Sequence, residues 1–164
     1  MTKQVTLSIN GISVTVPDGT LVADAAKMAG VDIPVFCHHP KLEPVGMCRM
    51  CLVEVGRPML DRATGQVVME NGQPKIQFMP KLETACTNRV SEGMVVMTTT
   101  DKATEGQKGT VEFLLTSHPL DCPVCDKGGE CPLQNLTMAF GPGKSRFIYD
   151  EKLHLEKLVP LGEL

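Results

Sequence analysis

Seven cysteines and one histidine constrain this chain of 164 residues more tightly than any hydrophobic pattern does. Grouped by position, Cys37, Cys48, Cys51 and a distant Cys86 read C-x10-C-x2-C-x34-C. His118, Cys122, Cys125 and Cys131 read H-x3-C-x2-C-x5-C. Two four-ligand sets use every cysteine and one of the 4 histidines. An odd cysteine count leaves one unpaired in any disulfide scheme. Residues 1–15 have no apolar run behind a basic start, so no secretory leader is expected and the reducing cytoplasm is the expected compartment. Thiols at this density in that compartment point to metal binding.

The spacing has a physical logic. A C-x2-C turn aims two thiolates at one side of a loop. Gly46, two residues before Cys48, lets backbone come close to inorganic sulfide and offer N–H donors. Cys37 upstream and Cys86 from a remote segment close the cage. This is the plant-type 2Fe–2S arrangement with its first gap lengthened from four residues to ten. Thiolate sulfur favours iron–sulfur clusters or zinc over hard cations. Two readings compete for the first set: a structural four-cysteine zinc site, and a redox-active Cys48–Cys51 pair, which leaves Cys37 and Cys86 unexplained.

The second set lies in His118-Pro-Leu-Asp-Cys122-Pro-Val-Cys125-Asp-Lys-Gly-Gly-Glu-Cys131-Pro-Leu-Gln134. Three cysteines at short spacing wrap a cubane, and Gly128-Gly129 permit tight passage of the backbone over it. Prolines after Cys122 and Cys131 stiffen the loop. A fourth ligand is needed, and His118 stands where a neutral imidazole can bind iron; the competing reading is an ordinary surface or core histidine. His38 and His39, beside Cys37, and His154 are read as non-ligands. The ten methionines are read as core packing.

Composition narrows the function classes. Charged residues make up 21% and the net charge is −3, so a basic nucleic-acid footprint is absent. Apolar residues make up 42%, an ordinary globular value. No apolar run approaches the roughly 18 residues of a membrane span. Aromatic residues are only 4%, and a cofactor would supplement so thin a core. No Gly-rich phosphate loop, Ser–His–Asp set or paired carboxylates present themselves, so hydride or hydrolytic chemistry is unsupported within this chain.

Periodicity gives an α+β order. Gln4–Ile9 and Ile12–Val16 alternate around Asn10-Gly11 and predict a hairpin. Thr20 is a candidate cap for a helix from Leu21 to Met28, ended by Gly30. Residues 31–51 are irregular, and Cys51–Val55 reads as a strand. Residues 57–80 read as an excursion in which Val67–Met69 and Lys75–Phe78 form a hairpin. Leu82–Cys86 and Met94–Thr99 complete the β-rich half. Residues 101–116 suit a helix in which Gly106 and Gly109 mark either fraying or close packing. A loop over 117–131 and a helix from Leu133 to Phe140, stopped by Gly141-Pro142-Gly143, follow. The tail from Asp150 to Leu164 needs another surface to lie on.

The two cysteine sets together resemble the N-terminal region of the large iron–sulfur subunit of bacterial respiratory complex I, NADH:quinone oxidoreductase. The resemblance covers essentially the whole chain, and the one-histidine, three-cysteine motif is its specific part. Related segments occur in NAD-linked hydrogenases, iron-only hydrogenases and some formate dehydrogenases. The resemblance implies a β-grasp 2Fe–2S ferredoxin-like domain over 1–100, with Cys37, Cys48, Cys51 and Cys86 as ligands. It implies a small helical 4Fe–4S domain and tail over 101–164, with His118, Cys122, Cys125 and Cys131 as ligands. One 2Fe–2S and one 4Fe–4S cluster would carry electrons from flavin towards quinone. The implied partners are a flavin- and NADH-binding subunit and downstream iron–sulfur subunits, with no nucleic acid and no direct membrane insertion. The implied location is cytoplasmic, peripheral on the inner face of the cell membrane. Family subunits continue with further cysteine motifs and a large C-terminal domain, so the chain reads as a fragment or as a relay whose electron exit lies on another chain. The alternatives are the electron-input module of an NAD-linked hydrogenase or formate dehydrogenase, and a zinc-stabilised interaction module without redox activity.

Overall fold

Asn10 and Gly11 both take left-handed backbone angles, with φ of 49° and 84°. They close a tight turn whose twist matches the flanking strands. Strands β1 (Gln4–Ile9) and β2 (Ile12–Pro17) pair antiparallel in unbroken register from Gln4 with Pro17 to Ile9 with Ile12. This is a computed structural model, and it describes residues 3–119 and 121–147. The tail expectation for Asp150 to Leu164 lies outside the described residues.

Val5, Leu7 and Ile9 of β1 face the core, as their alternation predicts. On β2 only Val16 is buried, and Ile12 stands half exposed at the turn end of the hairpin. Helix α1 (Val22–Met28) buries Val22, Ala23, Ala25 and Ala26 in the same core. Gly30, at φ 73°, carries the chain out of α1, and its N–H donates to the Lys27 carbonyl at 3.1 Å. The expected Thr20 cap is not formed. Its hydroxyl donates to the Pro17 carbonyl at 2.7 Å, and Leu21 occupies the cap position. The first free N–H groups of α1 go elsewhere: Val22 donates to the Asn88 carbonyl and Ala23 to the Ala85 carbonyl. A helix start satisfied by a neighbouring loop needs no side-chain cap.

The remaining strands are β3 (Leu52–Pro58), β4 (Met69–Glu70), β5 (Gln73–Pro74), β6 (Ile76–Phe78), β7 (Glu83–Thr84) and β8 (Val95–Met97). The main sheet runs β2-β1-β8-β3-β6, with β7 also on β3. Strands β1 and β8 are parallel, and β3 is antiparallel to β8, β6 and β7. A hairpin, a crossing helix and a return strand parallel to the first make the β-grasp order. The excursion differs in part from expectation. Asn71-Gly72 does turn a short hairpin, β4 with β5, but Ile76–Phe78 leaves it to extend the main sheet along β3. Gly56 permits this approach, because a Cβ there would stand 2.5 Å from Ile76 Cγ2.

Helix α2 (Asp101–Thr116) starts at Thr100, whose hydroxyl accepts from the Ala103 N–H at 3.2 Å. It buries Ala103, Gln107 and Val111. Helix α3 (Pro132–Phe140) begins at Pro132, where the missing N–H costs nothing, and packs against α2. The fold is therefore α+β, a mixed sheet with helices. No helix among the described residues is long and apolar enough to cross a membrane.

The two α2 glycines separate cleanly. At Gly106 a Cβ would lie 2.7 Å from Leu82 Cδ1 and 3.3 Å from Leu52 Cδ1, so the helix is pressed onto the sheet there. At Gly109 a Cβ would meet nothing within 4 Å. Gly109→Ala is expected to stabilise the chain by about 1 kcal/mol through helix propensity. Gly106→Ala is expected to gain nothing, because Leu82 and Leu52 must first move aside. Denaturant midpoints of the two variants check this, and equal gains at both positions would contradict it.

Candidate iron–sulfur sites

The first cysteine set converges from three places in the chain. Cys37 and Cys48 come from the irregular segment before β3, Cys51 directly precedes β3, and Cys86 follows β7. Cys51 and Cys86 are buried at about 1% exposure, and Cys37 and Cys48 are half-buried. Backbone N–H groups already point at the sulfurs. Cys48 donates to Cys37 Sγ, Met50 to Cys48 Sγ and Cys86 to Cys51 Sγ, each at 3.4 Å.

Turn chemistry places those donors. Gly46 has φ 60°, and a Cβ there would lie 2.9 Å from Thr87 Cγ2. Arg49, between two of the cysteines, is held at φ 64°, a region that non-glycine residues avoid, and its guanidinium donates to the Gly46 carbonyl at 3.4 Å. The Cys86 loop is fixed by α1, through the Ala85 and Asn88 carbonyls described above. Ala85 N–H also donates to the Cys51 carbonyl at 2.9 Å, which ties the remote cysteine to the C-x2-C loop.

The thiols feel one another. Burial, then the neighbouring Cys51, Cys37 and Cys48, pushes the Cys86 thiol up to about 12. Burial likewise raises Cys48. Burial works upward on Cys37 too, but the N–H groups of Cys48 and Met47 outweigh it and lower that thiol. Without metal, the pocket thus resists holding four thiolates; positive charge from iron would relieve this. Among the described residues, no three His, Cys, Asp or Glu side chains converge closely enough to share a single metal ion.

The second set is assembled locally. His118, Cys122, Cys125 and Cys131 line one cavity of about 480 Å³, with Leu115 of α2 and Leu133 of α3 on its apolar wall. His118 lies just beyond α2, and its N–H donates to the Leu115 carbonyl at 3.3 Å. Cys122–Val124 form a single 3₁₀ turn, and Cys131 is the residue at the start of α3. Gly128 lets the loop pass over its own start, since a Cβ would stand 2.9 Å from the Cys122 carbonyl oxygen and 3.1 Å from that of Cys125. Gly129, at φ 89°, donates its N–H to Gln134 Oε1 at 3.1 Å. Soft sulfur, an imidazole and apolar walls fit an iron–sulfur cluster.

His39 and His38 join neither set. His39 Nδ1 accepts from the Lys41 N–H at 3.2 Å. His38 Nε2 lies 3.9 Å from Asp24 Oδ1, and its Nδ1 is buried without a hydrogen-bond partner. Sequence reasoning passed over Gln107, a nearly fully buried polar residue whose amide donates to the carbonyl of Leu52 at the start of β3. Its signal was available: a glutamine on the face of α2 that also carries Ala103 and Val111.

A mixed sheet that gathers four cysteines, followed by helices around a histidine–cysteine cavity, defines an iron–sulfur protein with two sites. Residues 2–101 match the 2Fe-2S iron-sulfur cluster binding domain family. Residues 107–146 match the NADH-ubiquinone oxidoreductase-G iron-sulfur binding region. The chain belongs to the family of large iron–sulfur subunits of NADH-quinone oxidoreductase and carries one 2Fe–2S and one 4Fe–4S cluster. It is 48% identical to NADH-quinone oxidoreductase subunit 3 of Thermus thermophilus, over 96% of this chain and 22% of that protein. It is 42% identical to the mitochondrial NADH dehydrogenase (ubiquinone) iron-sulfur protein 1 of Solanum tuberosum, over 85% of this chain and 16% of the relative. The chain thus spans only about a fifth of the length of these relatives. Among solved structures it resembles an NAD+-reducing nickel–iron hydrogenase in its H2-reduced state, with a TM-score of 0.71 at 26% identity, covering 94% of this chain and 55% of that one.

Proposed function

We propose that this chain is an electron-relay segment of an NADH:quinone oxidoreductase, passing electrons from flavin towards quinone. The observation that carries the reading is the pairing of two ligand sets on one frame: four cysteines at one end of the sheet, and a histidine with three cysteines beyond α2. The division is a β-grasp domain over 1–100 and a helical domain with tail over 101–164. Cys37, Cys48, Cys51 and Cys86 would hold the 2Fe–2S cluster, and His118, Cys122, Cys125 and Cys131 the 4Fe–4S cluster. When bound, each cluster supplies a one-electron couple.

The chain's own residues do the rest. The N–H groups of Cys48, Met50 and Cys86 donate to ligand sulfur, and such bonds stabilise the reduced, more negative state. Burial of Cys51 and Cys86 keeps water from one side of the first site. Leu115 and Leu133 wall the second. His118, as a neutral ligand, leaves its site one negative charge short of an all-thiolate one.

Exposed apolar side chains flank both sites. Met47 and Leu42 stand beside the first, and Val124 and Met138 beside the second. Such surfaces suit permanent neighbours better than a free carrier. The partners are proposed to be a flavin- and NADH-binding subunit and further iron–sulfur subunits, on the cytoplasmic face of the cell membrane. The likeness to the NAD+-reducing hydrogenase supports one second reading, an electron-input module of such an enzyme.

Anaerobically purified protein should be brown and contain about six iron and about six acid-labile sulfides per chain, from two plus four of each. Stoichiometric zinc with no sulfide would overturn the relay. Copurification with a flavin- and NADH-binding subunit in an assembly that reduces quinone, and not with a nickel-containing subunit, separates the oxidoreductase from the hydrogenase reading.

A further inference from the structure

Strand β3 begins next to a proposed cluster ligand, and its first carbonyls go to opposite sides. The Cys51 carbonyl accepts from Ala85 N–H on the β7 side. Successive carbonyls alternate along a strand, so that of Leu52 faces the β8 side. Strand β8 does not reach it, because the β3–β8 register ends with Glu54 opposite Met97. The partner comes instead from α2: Gln107 Nε2 donates to the Leu52 carbonyl at 3.2 Å. Gln107 is only 4% exposed. Gly106 removes the Cβ that would hold the helix away from Leu52, and Lys102 anchors the turn before it through Glu54 Oε1 at 3.3 Å.

We propose that Gln107 is a positioning residue for the binuclear site: its amide stands in for the missing strand and fixes the Leu52–Val53 peptide, one residue beyond Cys51. The chain leaving Cys51 is thereby held at two successive carbonyls, that of Cys51 by the Ala85 N–H of the remote cysteine loop and that of Leu52 by Gln107 of the helix. The last turn of the same helix places Leu115 on the wall of the second cavity, and His118, just beyond the helix, lines it too. One rigid element therefore holds the peptide beside one cluster and a wall of the other. Without the amide donor, the Leu52 carbonyl keeps its negative end without its partner one residue from Cys51, which disfavours adding an electron there.

The proposal rests on the four-cysteine reading of the first site. The test uses the full chain with both clusters assembled, as wild type, Gln107→Met, Gln107→Leu and Cys51→Ala. Methionine keeps the length of glutamine without its donor, and leucine serves as a second donor-free side chain should methionine fold poorly. Redox-titrated EPR is expected to show altered g-values for the binuclear centre in both Gln107 variants. Its reduction equilibrium should fall at least about threefold, about 28 mV at 59 mV per decade, with the tetranuclear centre unmoved. Unchanged binuclear g-values and potential would overturn the proposal, as would equal shifts at both centres. Cys51→Ala separates the two failures: a binuclear signal surviving it would overturn the ligand assignment itself, whereas an inert Gln107 with Cys51 essential would overturn only the positioning role.

Discussion

His118→Ala is expected to strip the tetranuclear cluster and leave the binuclear one in place, so that iron falls from about six to about two per chain. The cavity behind this expectation has His118, Cys122, Cys125 and Cys131 on its wall. Alanine leaves three thiolates for a cluster that takes four ligands. His118→Cys is expected to keep the cluster but lower its reduction potential, because a thiolate adds the negative charge that imidazole lacks. Histidine-ligated Rieske centres, with their higher potentials, show the same dependence in the opposite direction. Redox-titrated EPR and iron analysis of both variants provide the measurement. A tetranuclear signal unchanged in intensity and potential in His118→Ala would exclude His118 as a ligand.

Removing iron should divide the chain in two. The sheet has a core of its own, with Ile9, Val53, Val55, Met94 and Val96 all fully buried. Residues 121–130 are all exposed, and Leu133 is the buried residue of α3. Little apolar burial holds that region except what surrounds the cavity, so binding free energy becomes folding free energy there. Anaerobic chelation is expected to abolish amide-exchange protection in α3 and in the loop before it. Strands β1, β3 and β8 should keep most of theirs. The thin aromatic content, read alone, predicts poor folding of the whole apo chain; the aliphatic core confines the loss to the second half. Exchange protection persisting through 121–140 in iron-free protein would contradict this.

The first site is itself stressed without metal. Burial and three neighbouring thiols push Cys86 up to about 12, so its thiol stays protonated at neutral pH until metal displaces the proton.

Local pattern made much of this legible. Asn10-Gly11 fixed a hairpin because few other sequences take two left-handed angles in succession. The α2 boundaries, Asp101–Thr116, match the periodic segment because Thr100 caps one end and the loop signals begin at the other. Thr20 misled, since its hydroxyl is a plausible cap and nothing nearby in sequence reveals that Asn88 and Ala85 supply the acceptors. Lys75–Phe78 carried strand character but not its partner. Strand propensity says nothing about which edge is free, and the open edge of β3 decided it.

Which atoms are candidates for metal follows from the residue order: two candidate sets of four, each with glycines where backbone must pass close, because residue spacing and turn chemistry are local properties. How Cys86, distant along the chain, meets Cys51, and which group completes the carbonyl of Leu52, were settled by packing. Those outcomes depend on α1 seating the Cys86 loop, on β8 pairing no further along β3 than Glu54, and on Gly106 letting α2 close on the sheet. Each is a contact between segments far apart in sequence, made because buried N–H and C=O groups must find partners wherever the packed chain brings them.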